Sequence, residues 1–136
     1  MTQKKKAVLL VFIGVIIIGV AVGSMMYFKP HRDIHSEDAV YSGYAHDFFS
    51  EFESDSTAFK ASYEDQPVVI TGEVTFMEQR SFELDGSINC YLDSTVVIPD
   101  SLQRGMKVTV KARYVGFKID DLFGTTILDI DQARFQ

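Results

Sequence analysis

The feature that most constrains this chain is an uncharged run of 22 residues, Ala7 to Phe28, near the start of the sequence. At a rise of about 1.5 Å per residue, a helix of that length crosses the roughly 30 Å hydrocarbon core of a bilayer. The basic stretch Lys4–Lys6 precedes the run. We therefore predict a transmembrane helix over residues 1–28, with residues 7–28 in the inner membrane.

Two interpretations of this segment are open. It is either an uncleaved signal anchor or a secretory signal peptide cleaved after Gly23, where Ala21-Val22-Gly23 supplies small residues. The apolar stretch continues to Phe28, beyond the ~7–15 residues usual for a signal peptide, and this favours the anchor. Under both interpretations the remaining chain lies outside the cytoplasm. We expect a single-pass protein of the cell inner membrane with a cytoplasmic N-terminus.

Charged residues are distributed unevenly on the two sides of the apolar run. All 19 acidic residues follow it, together with only ten lysines and arginines, so the part from residue 29 onward has a net charge of −9. Nucleic-acid binding depends on cations that neutralise phosphates, so this balance argues against a nucleic-acid partner. It favours a cationic ligand or an envelope protein instead.

The region after the apolar run begins with a short polar stretch. Pro30 is predicted to end the first helix, and we interpret residues 29–43 as a linker before a folded domain over residues 44–136. Aromatic residues then recur at helical spacing. This period predicts one amphipathic helix from Tyr44 to Tyr63, with Ser42 as its N-cap.

From Pro67 onward the apolar period changes from that of a helix to that of a strand. Gly72 lies within the first strand and suggests a bulge, while Asp85-Gly86 is typical of a hairpin turn. The pattern predicts five strands, near residues 67–77, 82–84, 88–92, 107–115 and 125–131. Together they indicate a mainly β domain, a five-stranded OB-fold Greek-key barrel preceded by the amphipathic helix.

Short stretches along the chain also carry a family resemblance. They are Lys29-Pro30-His31-Arg32-Asp33, Phe52-Glu53, Ala58, Tyr63, Val69-Ile70-Thr71-Gly72-Glu73-Val74, Gly105-Met106-Lys107-Val108-Thr109-Val110 and Gly116-Phe117. With them the chain resembles the tRNA-anticodon-binding-like OB-fold family of small membrane-anchored proteins of Bacteroidetes-type bacteria. The resemblance implies an OB-fold beside a membrane and no particular activity. The chain departs from the family in its lone Cys90 and its lack of a long basic tract.

A ligand face follows from analogy with OB-folds, which bind along the second and third strands and the loops after the first and fourth. The residues that this analogy selects are Arg80, Tyr91, Phe117, Lys118 and Asp120. We expect a non-enzymatic binding or interaction module of unknown ligand. The alternative is a single-stranded nucleic-acid-binding protein, in which aromatic rings stack and cations of the fourth strand contact phosphates. These residues are Tyr91, Tyr114, Phe117, Lys107, Lys111 and Arg113.

Other chemistry finds little support in the sequence. The candidate metal ligands are His31, His35, His46, Asp120-Asp121 and Asp129-Ile130-Asp131. Their spacing matches neither a zinc site nor a calcium loop, so we expect no metal and no cofactor. Cys90 shares a strand face with Ile88 and Leu92, which is typical of a small buried residue rather than a nucleophile. No catalytic residues are expected.

Overall fold

The structure is a computed structural model that describes residues 2–28 and 32–136. The chain divides into two compact units, and the division falls between Arg32 and Asp33. The first unit contains one helix. The second contains a β-barrel with two short helices.

The helix of the first unit, α1, runs from Gln3 to Tyr27. It is apolar on every side along most of its length, and none of its residues is buried. By length and composition it can cross a membrane, and an N-terminal signal sequence shares the same properties. The predicted apolar N-terminal helix is therefore confirmed. Pro30, predicted to end the helix, lies outside the described residues.

The second unit is built around six strands. They are β1 (Tyr41–Tyr44), β2 (Pro67–Met77), β3 (Ser81–Leu84), β4 (Ile88–Leu92), β5 (Lys107–Ile119) and β6 (Thr126–Phe135). Hydrogen-bonded neighbours follow the order β2, β3, β4, β6, β5, and β5 returns to pair with β2. The predicted five-stranded barrel is thus closed. Its neighbours are antiparallel except for β4 and β6, which are parallel.

Along each strand, side chains alternate between the interior of the barrel and its outer surface. Inward residues of every barrel strand are buried, including Val68, Leu84, Cys90, Val110 and Ile130. Burying one such aliphatic side chain stabilises the fold by roughly 1.5–3 kcal/mol. The turn between β3 and β4 uses positive φ angles at Asp85 and Gly86, of 51° and 67°, as its Asp-Gly sequence predicts.

Gly72 does not mark a bulge in β2, which was its predicted role. The irregular register of β2 against β3 lies between Val74 and Phe76, not at Gly72. A Cβ atom on Gly72 would lie 3.0 Å from Ala45 Cβ and 3.2 Å from Leu84 Cβ. Gly72 therefore lets other elements approach the backbone of β2 closely.

Two helices stand where one was predicted. They are α2 (Ala45–Ser54) and α3 (Ser56–Tyr63), and Asp55 separates them in an extended conformation with φ −158°. The Asp55 carboxylate accepts a hydrogen bond of 3.0 Å from the Ala58 amide, so Asp55 is the N-cap of α3. Ser42, the predicted N-cap, lies in β1 instead.

Aromatic side chains join these helices to the barrel. The Phe48 and Phe59 rings are 4.8 Å apart, and the Phe59 ring is 5.1 Å from the ring of Tyr114 on β5. Most of these contacts are edge-on, the geometry that aromatic pairs prefer. The aromatic period of the sequence therefore marks core packing, as expected of an amphipathic helix.

The predicted linker over residues 29–43 needs correction from Asp33 onward. Ile34 is fully buried, and His35 Nε2 donates a 2.8 Å hydrogen bond to the carbonyl oxygen of Gln132. Residues 41–44 then pair in parallel with the first half of β2. This segment is held in place because the Ile34 side chain and several backbone groups find partners on the barrel. The folded unit therefore begins at Asp33 rather than at residue 44.

Candidate functional site

The outer face of the barrel brings polar side chains of three strands together. On β4, buried Ile88, Cys90 and Leu92 alternate with Asn89 and Tyr91, which point outward. Asn89 lies beside Asp129 of β6 in the parallel register, and Asp129 lies opposite Gly116 of β5. Lys118, two residues beyond Gly116 on β5, extends along the same face and contacts Tyr91 and Asp129. We call Asn89, Tyr91, Lys118 and Asp129 the outer-face cluster.

Hydrogen bonds organise the cluster around the phenol of Tyr91. Lys118 Nζ donates to Tyr91 Oη over 2.8 Å, and Asn89 Nδ2 donates to the same oxygen over 3.0 Å. The Lys118 ammonium also lies 5.4 Å from the centre of the Tyr91 ring, within cation–π range. The Tyr91 oxygen therefore acts as an acceptor here, and its own hydrogen can be donated to a ligand.

Asp129 has an unusual environment within the cluster. Its Oδ1 atom is buried and has no hydrogen-bond partner among the described residues, although Lys118 Nζ lies 3.5 Å away at ion-pair distance. Burial raises the pKa of Asp129, while Lys118 acts in the opposite direction. The pKa of Lys118 is raised, first by its hydrogen bond to Tyr91. The cluster therefore pairs a cation with a poorly satisfied carboxylate.

Two of the five predicted site residues, Tyr91 and Lys118, meet in this cluster. Arg80 does not: its Nη2 donates a 2.9 Å hydrogen bond to the carbonyl oxygen of Asp93 and so braces the connection after β4. Asp120 does not either. Its Oδ1 accepts a 2.8 Å hydrogen bond from the Leu122 amide, which closes the turn between β5 and β6. Both residues have structural roles in this arrangement.

The fifth predicted residue, Phe117, lies at a separate cleft. Its half-exposed ring is 5.0 Å from the ring of Phe52 on α2. The cleft has a volume of about 200 Å³. Its lining comprises Phe52, Lys60, Glu64, Tyr114, Val115, Gly116 and Phe117, and we call it the β5–α3 cleft.

Apolar side chains are exposed at the end of the β5–β6 hairpin, and sequence reasoning overlooked them. Ile119 is 58% exposed, Leu122 86% and Phe123 78%. We call these three residues the hairpin tip. The available signal was a Leu-Phe pair inside a turn, between Asp121 and Gly124, where polar residues are the norm.

The cations suggested for nucleic acid are engaged elsewhere. Lys111 donates to the carbonyl oxygens of His35 and Glu37, and Arg113 makes a bidentate pair with Asp131 at 2.9 and 2.7 Å. Lys107 lies 5.1 Å above the ring of Tyr44. These side chains stabilise contacts between elements of the folded unit rather than lining a common basic groove.

The candidate metal ligands and the cysteine are also dispersed. Within residues 2–28 and 32–136, no three His, Cys, Asp or Glu side chains converge in a group suited to a metal ion. His31 lies outside the described residues. Cys90 is fully buried, and burial raises the pKa of its thiol, so the reactive thiolate is disfavoured.

The chain was also compared with known proteins. No protein-family model, no curated protein and no solved structure matches it.

Proposed function

We propose that this chain is a membrane-anchored, non-enzymatic interaction module whose barrel binds an envelope partner outside the cytoplasm. The helix α1 serves as a retained anchor in the inner membrane, with the cytoplasmic N-terminus that its preceding lysines favour. Membership of the tRNA-anticodon-binding-like family is part of this proposal and rests on the stretches quoted above.

The strand order supports an OB-fold with a Greek key. A Greek key has three consecutive strands and a fourth that returns to lie beside the first. In the barrel, β2, β3 and β4 are consecutive neighbours, and β5 returns after a long connection to pair with β2. On this basis β3 and β4, with the loops after β2 and β5, are the ligand-binding side of the domain.

The observation that carries the proposed function is the hairpin tip. Large apolar side chains that project together from a polar surface are typical of interaction sites, because their exposure to water is unfavourable. Two members of the outer-face cluster, Lys118 and Asp129, lie on the strands of this hairpin, and Lys118 is beside Ile119 in sequence. The hairpin therefore places an apolar contact surface beside the hydrogen-bond donors and acceptors of the outer-face cluster. In an interface, such polar groups orient the bound partner.

The charge of the folded unit favours a protein or a cationic ligand over nucleic acid. Residues 33–136 contain eight lysines and arginines against 19 acidic residues, a net charge of −11. Electrostatic repulsion of phosphates follows from this balance. The cation of the outer-face cluster, Lys118, also lies at ion-pair distance from Asp129.

Site-specific photocrosslinking in living cells tests the proposed function. A photoreactive amino acid is placed at Phe123 in the hairpin tip or, as a control, at Val97, a similarly exposed apolar residue of the β4–β5 connection. We expect a discrete crosslinked product from position 123 and none from position 97. Equal labelling from both positions, or no product from either, would overturn the proposed interaction surface.

A further inference from the structure

The strand β5 continues beyond the end of its pairing with β2. Its pairing with β2 ends where Pro67 lies opposite Arg113. Tyr114 then exchanges hydrogen bonds with Asp65 and Gln66. After an irregularity between Tyr114 and Gly116, residues 116–119 pair with β6 and with no other strand among the described residues. We call the side of residues 116–119 that faces away from β6 the free edge of β5.

The hydrogen-bond pattern shows which groups this free edge presents. The Asp120 amide donates to the Thr125 carbonyl oxygen, so alternate residues of β5 before it bond to β6. The Leu128 amide, opposite Phe117, donates to Ser87 and not to β5. Phe117 and Ile119 therefore direct their N–H and C=O groups outward, as a template for another strand.

The β5–α3 cleft lies beside this edge. Residues of β5 form one side of it, and Lys60 of α3 and Glu64, the residue that follows α3, contribute to the other. Its volume of about 200 Å³ is smaller than the roughly 300–1,000 Å³ usual for small-molecule pockets. The cleft thus suits a single apolar side chain, such as one that projects from a strand added to the edge.

Resting on the proposed function, we infer that the free edge of β5 binds an extended, basic segment of a partner protein by strand addition, with one apolar side chain in the β5–α3 cleft. The segment pairs with the backbone of Phe117 and Ile119. The hairpin tip then flanks the added strand.

Charge distinguishes this occupant from a second copy of the chain. Asp120 and Asp121 directly follow the edge. The nearby cations are already paired: Lys60 lies 4.0 Å from Glu64, and Lys118 lies 3.5 Å from Asp129. Another unit with a net charge of −11 is repelled from this surface, whereas a lysine-rich segment is attracted to it.

Peptide binding to the full chain tests the inference. The chain is placed in nanodiscs of zwitterionic lipid, and the probe is a short fluorescent peptide of alternating lysine and valine with a central phenylalanine. Controls are the same peptide with glutamate for lysine, and one methylated on the amides that pair with the edge. We expect saturable binding of the basic peptide, which is weakened at least about tenfold by glutamate substitution or by methylation.

A matched pair of variants locates the binding on β5. Ile119→Pro removes an outward N–H group that does not bond to β6, and Ile119→Val keeps that group. We expect Ile119→Pro to weaken binding about tenfold, and Ile119→Val, which keeps the backbone donor and loses one methylene group, to weaken it no more than about twofold. Protection of the buried Cys90 from alkylation verifies that both variants are folded.

Three results would overturn the inference: no binding of the basic peptide, equal binding by the Ile119→Pro variant, or crosslinks from position 123 that join two copies of this chain. The first two leave the proposed function intact if position 123 still crosslinks to another protein in cells. Absence of any crosslink removes the proposed function itself, so the two failures are distinguishable.

Discussion

Lys118 Nζ lies 3.5 Å from Oδ1 of Asp129 without completing a hydrogen bond to that buried oxygen. The ammonium is directed instead to the Tyr91 phenol, 2.8 Å away. Asp129 therefore bears a desolvation penalty that its nearest cation only partly offsets. This arrangement has a consequence for stability.

Stability is expected to depend on pH through Asp129. Burial raises its pKa in the folded state above the ordinary value of 3.8, so the folded state binds this proton more tightly than the unfolded state. Ionisation then costs stability above the raised pKa, and the cost disappears as pH falls below 3.8. We expect Asp129→Asn to raise the free energy of unfolding at neutral pH, by less than about 1 kcal/mol, with no gain in acid.

The neighbouring aspartate on the same strand provides a control. Asp131 accepts two hydrogen bonds from Arg113, so Asp131→Asn should lower stability at neutral pH. Urea unfolding of the full chain in micelles can be followed by alkylation of Cys90, the single cysteine, which is fully buried when the barrel is folded. Similar losses from both substitutions would contradict the account of Asp129.

A side chain at Gly72 is expected to destabilise the barrel. A Cβ atom there would meet the Cβ atoms of Ala45 and Leu84, which belong to backbone-fixed positions rather than to flexible chain ends. We expect Gly72→Ala to destabilise the barrel by about 1–3 kcal/mol, measured by the same alkylation assay. Gly116→Ala is the matched control, because nothing lies within 4 Å of a Cβ at Gly116. Equal stability of the two variants would disprove the close approach at Gly72.

The segment before β1 should contribute to stability as part of the folded unit. Ile34 is fully buried, whereas Val40 in the same segment is 50% exposed. We expect Ile34→Ala to lower the free energy of unfolding by about 2–5 kcal/mol and Val40→Ala to have an effect within about 0.5 kcal/mol. A free linker would make both substitutions neutral, and that result would refute the packing of this segment.

The regular elements were predictable because their periods are strong. The uncharged run that forms α1 and the alternation that forms β2 each extend over ten or more residues, and the alternation over residues 107–115 predicted most of β5. The break at Asp55 was missed because the aromatic period continues across it, while the backbone stops to cap a second helix. Ile34 was missed because one apolar residue in a polar stretch has no period at all.

The candidate site was predictable only in part, since it depends on strand register. Fold analogy selected Tyr91 and Lys118 and the structure joins them, but Asn89 and Asp129 belong with them through the pairing of β4 and β6. Arg80 and Asp120 looked similar in sequence, yet each is directed to a backbone group. Local sequence does not distinguish a side chain that hydrogen-bonds to the backbone from one that is available to a ligand.

Topology tests the central claim of a membrane-anchored module outside the cytoplasm. Intact spheroplasts that express the chain with a C-terminal tag are treated with protease, and the tag and the N-terminus are followed by immunoblot. We predict digestion of the tagged domain, protection of the N-terminal lysines, and a chain whose size shows that α1 is retained. Protection of the whole chain until the cells are lysed would contradict this account and would make cytoplasmic nucleic acid the first partner to test.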